Sequence, residues 1–374
     1  MTRLGDNQQA FLALVRAGLW ERSVQLSLHG EIDLEAVYRL AEEQAVLGLV
    51  AAGLEHVSDV VLPKEEVLVF VGSVLPLEQR NIEMNALVAQ LFDRLREAGT
   101  NPVLVKGQGI AQCYERPLWR ASGDVDLSLC GDDYEKAKSL LLPQAVHVSS
   151  EYTSFKHVGL NLAGGFEVEI HGTQHTRLSR RVDGMIDDVQ REIFYDGKVR
   201  PWMDGDTRVL LPAPDEDVII VFTHILHHFF FEGIGLRQIC DWCRLLWKYR
   251  SGIDVKLLEN RLRAARLMTE WKAFAALAVD WLGMPVEAMP LYSADARWSR
   301  KGARIVSDVL KVGNFGHNRK PSTHRPQPYL RRKFCSFWAR LGSMLRHFLI
   351  FPRDSVFFIG GMLRTGLHAA VRGE

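Results

Sequence analysis

The chain has 374 residues, 47% of them hydrophobic and 24% charged, which is typical of a folded globular protein and excludes a disordered or fibrous chain. No apolar run approaches the roughly 20 residues of a membrane-spanning helix, residues 1–11 have no secretory signal pattern, and the five cysteines have no framework spacing, so we expect an intracellular, cytoplasmic protein. The net charge of +1 hides a basic end, because residues 297–374 contain 16 Lys and Arg against 3 Asp and Glu.

The first hundred residues have helical periodicity. Apolar stripes over residues 11–19 and 33–47 predict two helices, and a long helix is predicted over 65–98. Gly99 supplies the end of the long helix, and Pro76 is expected to kink or divide it. These helices are expected to pack rather than to carry chemistry.

The central part alternates strands with helices. Strands are predicted at 102–105, 124–130, 152–162, 166–171 and 207–211, and helices at 108–115, 132–142 and 184–193. Gly164 and Gly165 predict a hairpin turn between two of these strands, and Pro212 and Pro214 mark a boundary. The mixture predicts an α+β fold, with a small mixed β-sheet and helices behind it.

The last part is again helical. Amphipathic helices are predicted at 217–231, 236–248, 255–265 and 269–281, followed by a linker at 313–328 and a final helix at 329–349. We therefore divide the chain into an N-terminal helical region (1–98), a core (99–213), a helical domain (214–296) and a basic arm with a C-terminal helix (297–374).

The final predicted helix is both apolar and basic. Leu330, Phe334 and Trp338 belong to its apolar stripe, and arginines surround that stripe. The pattern fits a helix packed on the acidic body of the protein, one that binds an acidic partner, or one on an anionic membrane surface. No known binding motif predicts sequence-specific nucleic-acid binding.

Alternating carboxylates point to a metal site. In the run GDVDL at 123–127, Asp124 and Asp126 share one face of the predicted strand. In the strand at 166–171, Glu167, Glu169 and His171 share one face in the same way. If the strands are neighbours, Glu169 or Glu167 can complete a three-carboxylate cluster, which suits Mg²⁺.

The loop before the first Asp suits a phosphate. At the end of the strand at 102–105, Lys106 supplies positive charge and Gly107 lets the backbone approach a ligand closely. Arg120 lies in a loop four residues before Asp124, where it could bind phosphate or pair with a carboxylate. His171 is expected to orient or pack rather than to act as a general base.

Together these motifs resemble an uncharacterised bacterial nucleotidyltransferase family of the DNA polymerase β-like superfamily. The matching motifs are Lys106–Gly107, Arg120, GDVDL at 123–127 and VEIH at 168–171. The sequence differs at Gln108, where the superfamily usually has Gly or Ser, and in having Glu rather than Asp as the third carboxylate.

The resemblance implies a metal-dependent enzyme. It would transfer a nucleoside monophosphate from a nucleoside triphosphate such as ATP to an unknown acceptor hydroxyl of a small molecule or protein, with two Mg²⁺ (or Mn²⁺) ions. Asp124, Asp126 and Glu169 would be the metal ligands and catalytic residues, with Glu169 also helping to deprotonate the acceptor. Lys106, Gly107, Arg120 and Gly123 would bind the nucleotide. The alternatives are a non-catalytic nucleotide-binding or interaction protein with the same fold, and a phosphohydrolase that transfers to water.

A second metal site is conceivable in the helical domain. His224, His227 and His228 recur at helical spacing, and Cys240 and Cys243 follow, which suggests a possible zinc site. The cysteine pair lies inside a predicted helix, which is unlike the turn of a zinc ribbon. Arg237 and Asp241 are expected to form a pair on the helix surface.

Overall fold

The computed structural model describes residues 4–152, 156–176, 178–314, 347–348 and 350–352. Among these residues, no helix is both long and apolar enough to cross a lipid bilayer. The predicted linker and C-terminal helix lie outside the described residues except for Gly313, Asn314, His347 and Phe348.

The described chain alternates helical and mixed segments. The helices are α1 (Asp6–Trp20), α2 (Leu34–Glu43), α3 (Leu47–Glu55), α4 (Lys64–Glu97), α5 (Gly107–Ala111), α6 (Asp132–Leu141), α7 (Arg180–Tyr195), α8 (Pro214–Phe231), α9 (Leu236–Lys248), α10 (Val255–Ala265), α11 (Met268–Leu282) and α12 (Ala296–Val312). The strands are β1 (Val103–Val105), β2 (Val125–Ser128), β3 (His147–Tyr152), β4 (His157–Asn161), β5 (Glu167–His171), β6 (Val199–Asp204) and β7 (Thr207–Pro212).

The five-stranded sheet is mixed and has the order β1-β2-β5-β4-β3. Its central pair, β2 and β5, is parallel, whereas the other neighbouring strands are antiparallel. Strands β6 and β7 form a separate antiparallel hairpin. The predicted α+β fold with a small mixed sheet is therefore confirmed.

Two hydrophobic cores stabilise this arrangement. One core lies against the sheet, where Phe92 and Leu95 of α4 pack with Leu127 and Ile170 of the central strands. The other core joins N-terminal and C-terminal helices. The Trp20 indole N–H, for example, donates to the Leu282 carbonyl at 2.6 Å. The division of the chain into four regions stays a prediction.

The long predicted helix is confirmed as α4, and Pro76 does not divide it. A proline inside a helix removes one backbone hydrogen bond and crowds the preceding turn. Apolar anchors lie on both sides of it: Phe70 and Val74 are buried in the helical core, and the later turns are buried against the sheet. We attribute the continuity of α4 to this packing, which offsets the local cost.

The predicted helix over 33–47 is shorter in the structure, where it forms α2, and a separate helix, α3, follows it. Asp33 caps α2 by accepting hydrogen bonds from the N–H groups of Glu35 and Ala36. The helix ends near Ala45, whose φ of +54° is left-handed, and α3 begins at Leu47. The apolar residues that predicted this helix lie at 34–41 and do not mark where it ends.

Three strand predictions needed correction. Strand β3 was missed because its sequence, HVSSEY, has few apolar residues, and β6 was missed because it contains Pro201. The polar sequence of β3 is tolerated because β3 is an edge strand of the sheet. Pro201 is tolerated because β6 belongs to a two-stranded hairpin and so is also an edge strand. The strand predicted over 152–162 is shorter, as β4 begins at His157.

The predicted turn is confirmed, since Gly164 and Gly165 have φ of +87° and +75° and connect β4 to β5.

Candidate active site

Three carboxylates meet where β2 and β5 run side by side. The parallel register places Asp126 directly opposite Glu169, and Asp124 lies immediately before β2. One oxygen from each of the three carboxylates lies within 4.8 Å of the other two. Glu167, the alternative third member, instead accepts a hydrogen bond from the Ser149 hydroxyl. The structure therefore selects Glu169 from the two glutamates.

Positive charge adjoins this carboxylate cluster. The Lys106 ammonium donates to Asp126 Oδ1 at 2.6 Å, and His171 Nε2 lies 2.9 Å from the same oxygen. Asp126 is only 3% exposed. Since a buried carboxylate is costly without compensating partners, these two contacts make its burial tolerable.

The carboxylates perturb one another. The charge of Asp126 raises the pKa of Asp124 to about 6, and burial and the charge of Glu169 act in the same direction. Burial by itself would raise the pKa of Asp126, but the Lys106 ammonium and the hydrogen bond from His171 outweigh burial and lower it. Such mutual repulsion is relieved when a cation binds between the carboxylates.

Two histidines flank Glu169. His157 Nε2 and His171 Nε2 each lie 3.3 Å from Glu169 Oε2. Burial raises the pKa of Glu169, yet hydrogen bonds from His157 and His171 outweigh burial and hold that pKa far below its usual range. His157 was missed by the sequence reasoning. The signal was available, because a hairpin that turns at Gly164 and Gly165 pairs His157 with His171.

The Lys106–Gly107 loop has an unusual backbone. Lys106 has φ +60° and ψ −144°, a conformation that is strained for a residue with a side chain, and Gly107 has φ +40°. A Cβ on Gly107 would lie 3.3 Å from the Asp124 carbonyl oxygen. The glycine therefore permits close packing of this loop against the strand that carries the carboxylates.

Helix α5 is shorter than predicted and Gln108 does not face the site. The helix spans five residues rather than eight. The Gln108 side chain is buried and donates to the Asn85 and Asn81 side-chain oxygens on α4 at 2.7 and 3.3 Å. Gln108 thus fastens the loop to α4, which gives this residue a structural purpose.

Arg120 is held by Asp241 of α9. The Arg120 Nε and Nη2 atoms donate to the two Asp241 oxygens at 2.8 and 2.7 Å, and the Tyr114 hydroxyl donates to the same carboxylate at 2.7 Å. Of the two roles considered for Arg120, carboxylate pairing is the one the structure contains. A nucleotide contact of Arg120 stays a prediction.

The expected surface pair of Arg237 and Asp241 is wrong. Both residues are buried, and Arg237 donates to the Ala121 carbonyl oxygen at 3.1 Å. Their i,i+4 spacing places the two residues on one face of the helix, but the Asp241 carboxylate pairs with Arg120, which is distant in sequence. Gly123 lies beside the Arg237 guanidinium and lines the cavity of the site.

The carboxylate cluster opens into a cavity of about 450 Å³. Lys106, Gly107, Arg120 and Gly123 line it together with the three carboxylates, so all seven predicted site residues meet at one place. His224, His227 and His228 of α8 also line it. This volume is within the range of pockets that bind small molecules.

The suggested zinc site of histidines and cysteines does not form among the described residues. His224, His227 and His228 face the cavity, whereas Cys240 and Cys243 are fully buried in the helical core. Burial raises the pKa of both thiols, which disfavours the thiolate that zinc requires. None of these five residues belongs to a described group of potential metal ligands.

Comparison with known proteins gives one family and one distant structure. The model of a family described as "Uncharacterised nucleotidyltransferase" matches residues 30–283. The crystal structure of an antigenic nucleotidyltransferase-like protein from Paracoccidioides brasiliensis aligns at 16% identity, covering 57% of this chain and 95% of that one, with a TM-score of 0.35. No curated protein matches the chain.

Proposed function

Since the chain belongs to a family of uncharacterised nucleotidyltransferases, we propose that it transfers a nucleoside monophosphate from a nucleoside triphosphate to an acceptor hydroxyl. Pyrophosphate is the second product. The sheet and its carboxylates would then be a variant of the DNA polymerase β-like nucleotidyltransferase core.

The observation that carries the proposal is the convergence of Asp124, Asp126 and Glu169 beside the Lys106–Gly107 loop. Three carboxylate oxygens on rigid strands fit the preference of Mg²⁺ or Mn²⁺ for oxygen ligands. When bound, such ions lower the pKa of an attacking hydroxyl and stabilise charge on the leaving phosphate. The three residues would hold these ions.

Lys106 is proposed to contact the triphosphate. Its ammonium lies at the cavity edge, with His224 Nδ1 3.5 Å away and Asp126 Oδ1 2.6 Å away. The charges of the three carboxylates keep its pKa raised despite burial, so it stays a cation. A fixed cation here would attract phosphate oxygens, while Gly107 leaves room for them.

Glu169 is proposed to help deprotonate the acceptor hydroxyl through the metal ion that it would hold. Hydrogen bonds from His157 and His171 hold its pKa far below the usual range, so Glu169 stays ionised as a metal ligand but is a weak base by itself. His171 contacts both Glu169 and Asp126 and would orient the two carboxylates. Arg120 and Asp241 would position the loop that carries Asp124.

The test compares two neighbouring glutamates. Purified protein is incubated with each nucleoside triphosphate and Mg²⁺ or Mn²⁺, pyrophosphate release is measured, and mass spectrometry detects nucleotidyl adducts on candidate acceptors. We expect Asp126→Asn and Glu169→Gln to lower the rate at least roughly hundredfold. Glu167→Gln is the matched control and should keep activity, because Glu167 contacts Ser149 outside the cluster.

Three results would count against the proposal. Equal activity of Glu169→Gln and the parent would remove the catalytic assignment. No binding of any nucleoside triphosphate with either metal in calorimetry would indicate an interaction protein that retains the fold. Release of nucleoside monophosphate without an acceptor would identify a phosphohydrolase instead.

A further inference from the structure

Two imidazoles and one carboxylate converge at the edge of the carboxylate cluster. The antiparallel register of β4 and β5 pairs His157 with His171, and their ring centroids are 4.7 Å apart. Their Nε2 atoms and Glu169 Oε2 all lie within 4.8 Å of one another. The three residues therefore offer a compact set of one oxygen and two nitrogen donors.

The donor separations suit a tetrahedral metal ion. Two ligands bound to Zn²⁺ at about 2.0–2.1 Å are about 3.3–3.4 Å apart, because a tetrahedron edge is about 1.6 times the metal–ligand distance. Both histidine nitrogens are 3.3 Å from Glu169 Oε2. The two separations match this value.

The same two contacts are long for direct ion pairs. Charge-assisted N–H···O bonds are typically about 2.7–2.9 Å long, and the contacts of Lys106 and His171 with Asp126 lie in or below that range at 2.6 and 2.9 Å. Both contacts to Glu169 are longer, at 3.3 Å. The cluster is thus tight around Asp126 and wider around Glu169.

We infer that His157, Glu169 and His171 form a second metal site, which binds a transition ion of borderline softness such as Zn²⁺. Imidazole suits such ions, whereas Mg²⁺ prefers oxygen ligands. All three residues line the cavity, so a further coordination position is available on that side. Binding releases any proton held at Nε2 of either imidazole.

This site rests on the proposed function only through Glu169, which both metal sites share. A shared carboxylate places two ions next to each other, as in enzymes whose paired metals are about 3.5–4 Å apart. The protein would then combine a hard ion at Asp124 and Asp126 with a softer ion at the histidines. The two sites differ in ligands and can be tested separately.

The test follows metal binding rather than turnover. The full-length protein is titrated with Zn²⁺ in a calorimeter and with Co²⁺ in a spectrophotometer, where tetrahedral Co²⁺ has intense visible bands. We expect both His157→Ala and His157→Gln to weaken Zn²⁺ binding roughly tenfold or more and to abolish the Co²⁺ bands. His175→Ala is the matched control, because His175 lines the same cavity but pairs with Asp187 at 2.6 Å.

The outcomes separate this inference from the proposed function. Retention of the Co²⁺ bands in Asp124→Asn, together with their loss in both His157 variants, supports a histidine site whether or not nucleotide is transferred. The inference is overturned if the His157 variants bind Zn²⁺ and Co²⁺ like the parent. It is also overturned if the parent binds neither ion, since the two histidines would then only orient Glu169.

Discussion

Asp241→Asn should lower the free energy of unfolding by roughly 3–5 kcal/mol, which is the usual cost of breaking a buried ion pair on one side. The two Asp241 oxygens accept from Arg120 at 2.8 and 2.7 Å, and one of them also accepts from Tyr114 at 2.7 Å. Asp241 and Arg120 are 6% and 7% exposed. An amide replaces one acceptor with a donor, so it loses at least one charge-assisted hydrogen bond and leaves the guanidinium without a counter-charge.

Urea unfolding measures this cost. The parent is compared with Asp241→Asn, Asp241→Leu, Arg120→Met and the double variant Arg120→Met/Asp241→Leu. Each single variant should be destabilised, whereas the double variant should recover much of the loss, because replacing both members of a buried pair by apolar residues is often close to neutral. The control is Arg39→Met, since Arg39 forms an exposed pair with Glu35 at 3.1 Å that should contribute less than about 1 kcal/mol.

A loss below about 1 kcal/mol for Asp241→Asn, similar to that of the exposed control pair, would refute the reasoning. The same holds if the loss in the double variant equals the sum of the losses in Arg120→Met and Asp241→Leu. Either result would mean that Arg120 is not paired with Asp241 in solution.

Three further predictions concern metal binding, the loop and the cysteines. Mg²⁺ should bind more weakly at about pH 5 than at about pH 7.5, because the pKa of Asp124 is raised to about 6 and its protonation competes with the metal. Calorimetry at the two pH values measures the affinity, and an unchanged affinity would contradict this prediction. Gly107→Ala should lower the free energy of unfolding by about 1–2 kcal/mol through backbone strain, and the close contact with the Asp124 carbonyl adds to this loss. Thermal unfolding should show a larger loss of stability than for Gly165→Ala, because a Cβ at Gly165 meets nothing within 4 Å. Cys240 and Cys243 should react with thiol reagents only after unfolding, because both are fully buried. Peptide mapping of protein labelled in its native state tests this, and modification of either residue would disprove the prediction.

Local patterns in the sequence predicted the carboxylate cluster well. Alternation placed Asp124 and Asp126 on one strand face and Glu169 and His171 on another, and these faces depend only on the period of a β-strand. Alternation alone left Glu167 and Glu169 open, and the family resemblance favoured Glu169. The strand register then places Asp126 opposite Glu169. The roles of these residues in catalysis stay predictions.

Contacts between distant residues could not be predicted in this way. Arg120 and Asp241 are 121 positions apart in the sequence, and nothing in either local pattern connects them. The i,i+4 spacing of Arg237 and Asp241 suggested a pair that tertiary packing replaced. In the same way, the break between α2 and α3 depends on the left-handed turn at Ala45, which apolar periodicity does not encode.

The alternation that builds the sheet core also holds the carboxylates together against their repulsion. Two carboxylates about 4 Å apart repel by roughly 4 kcal/mol at an effective dielectric constant near 20. Burial of four apolar side chains on the same two strands contributes roughly 6–12 kcal/mol. These side chains are Val125, Leu127, Val168 and Ile170, each at most 1% exposed. A slip of one residue between β2 and β5 would remove Glu169 from Asp126, but it would also turn Val168 and Ile170 toward the cavity. The apolar residues therefore favour the one register in which Asp126 and Glu169 face each other, and the repulsion that remains is available to favour binding of a cation.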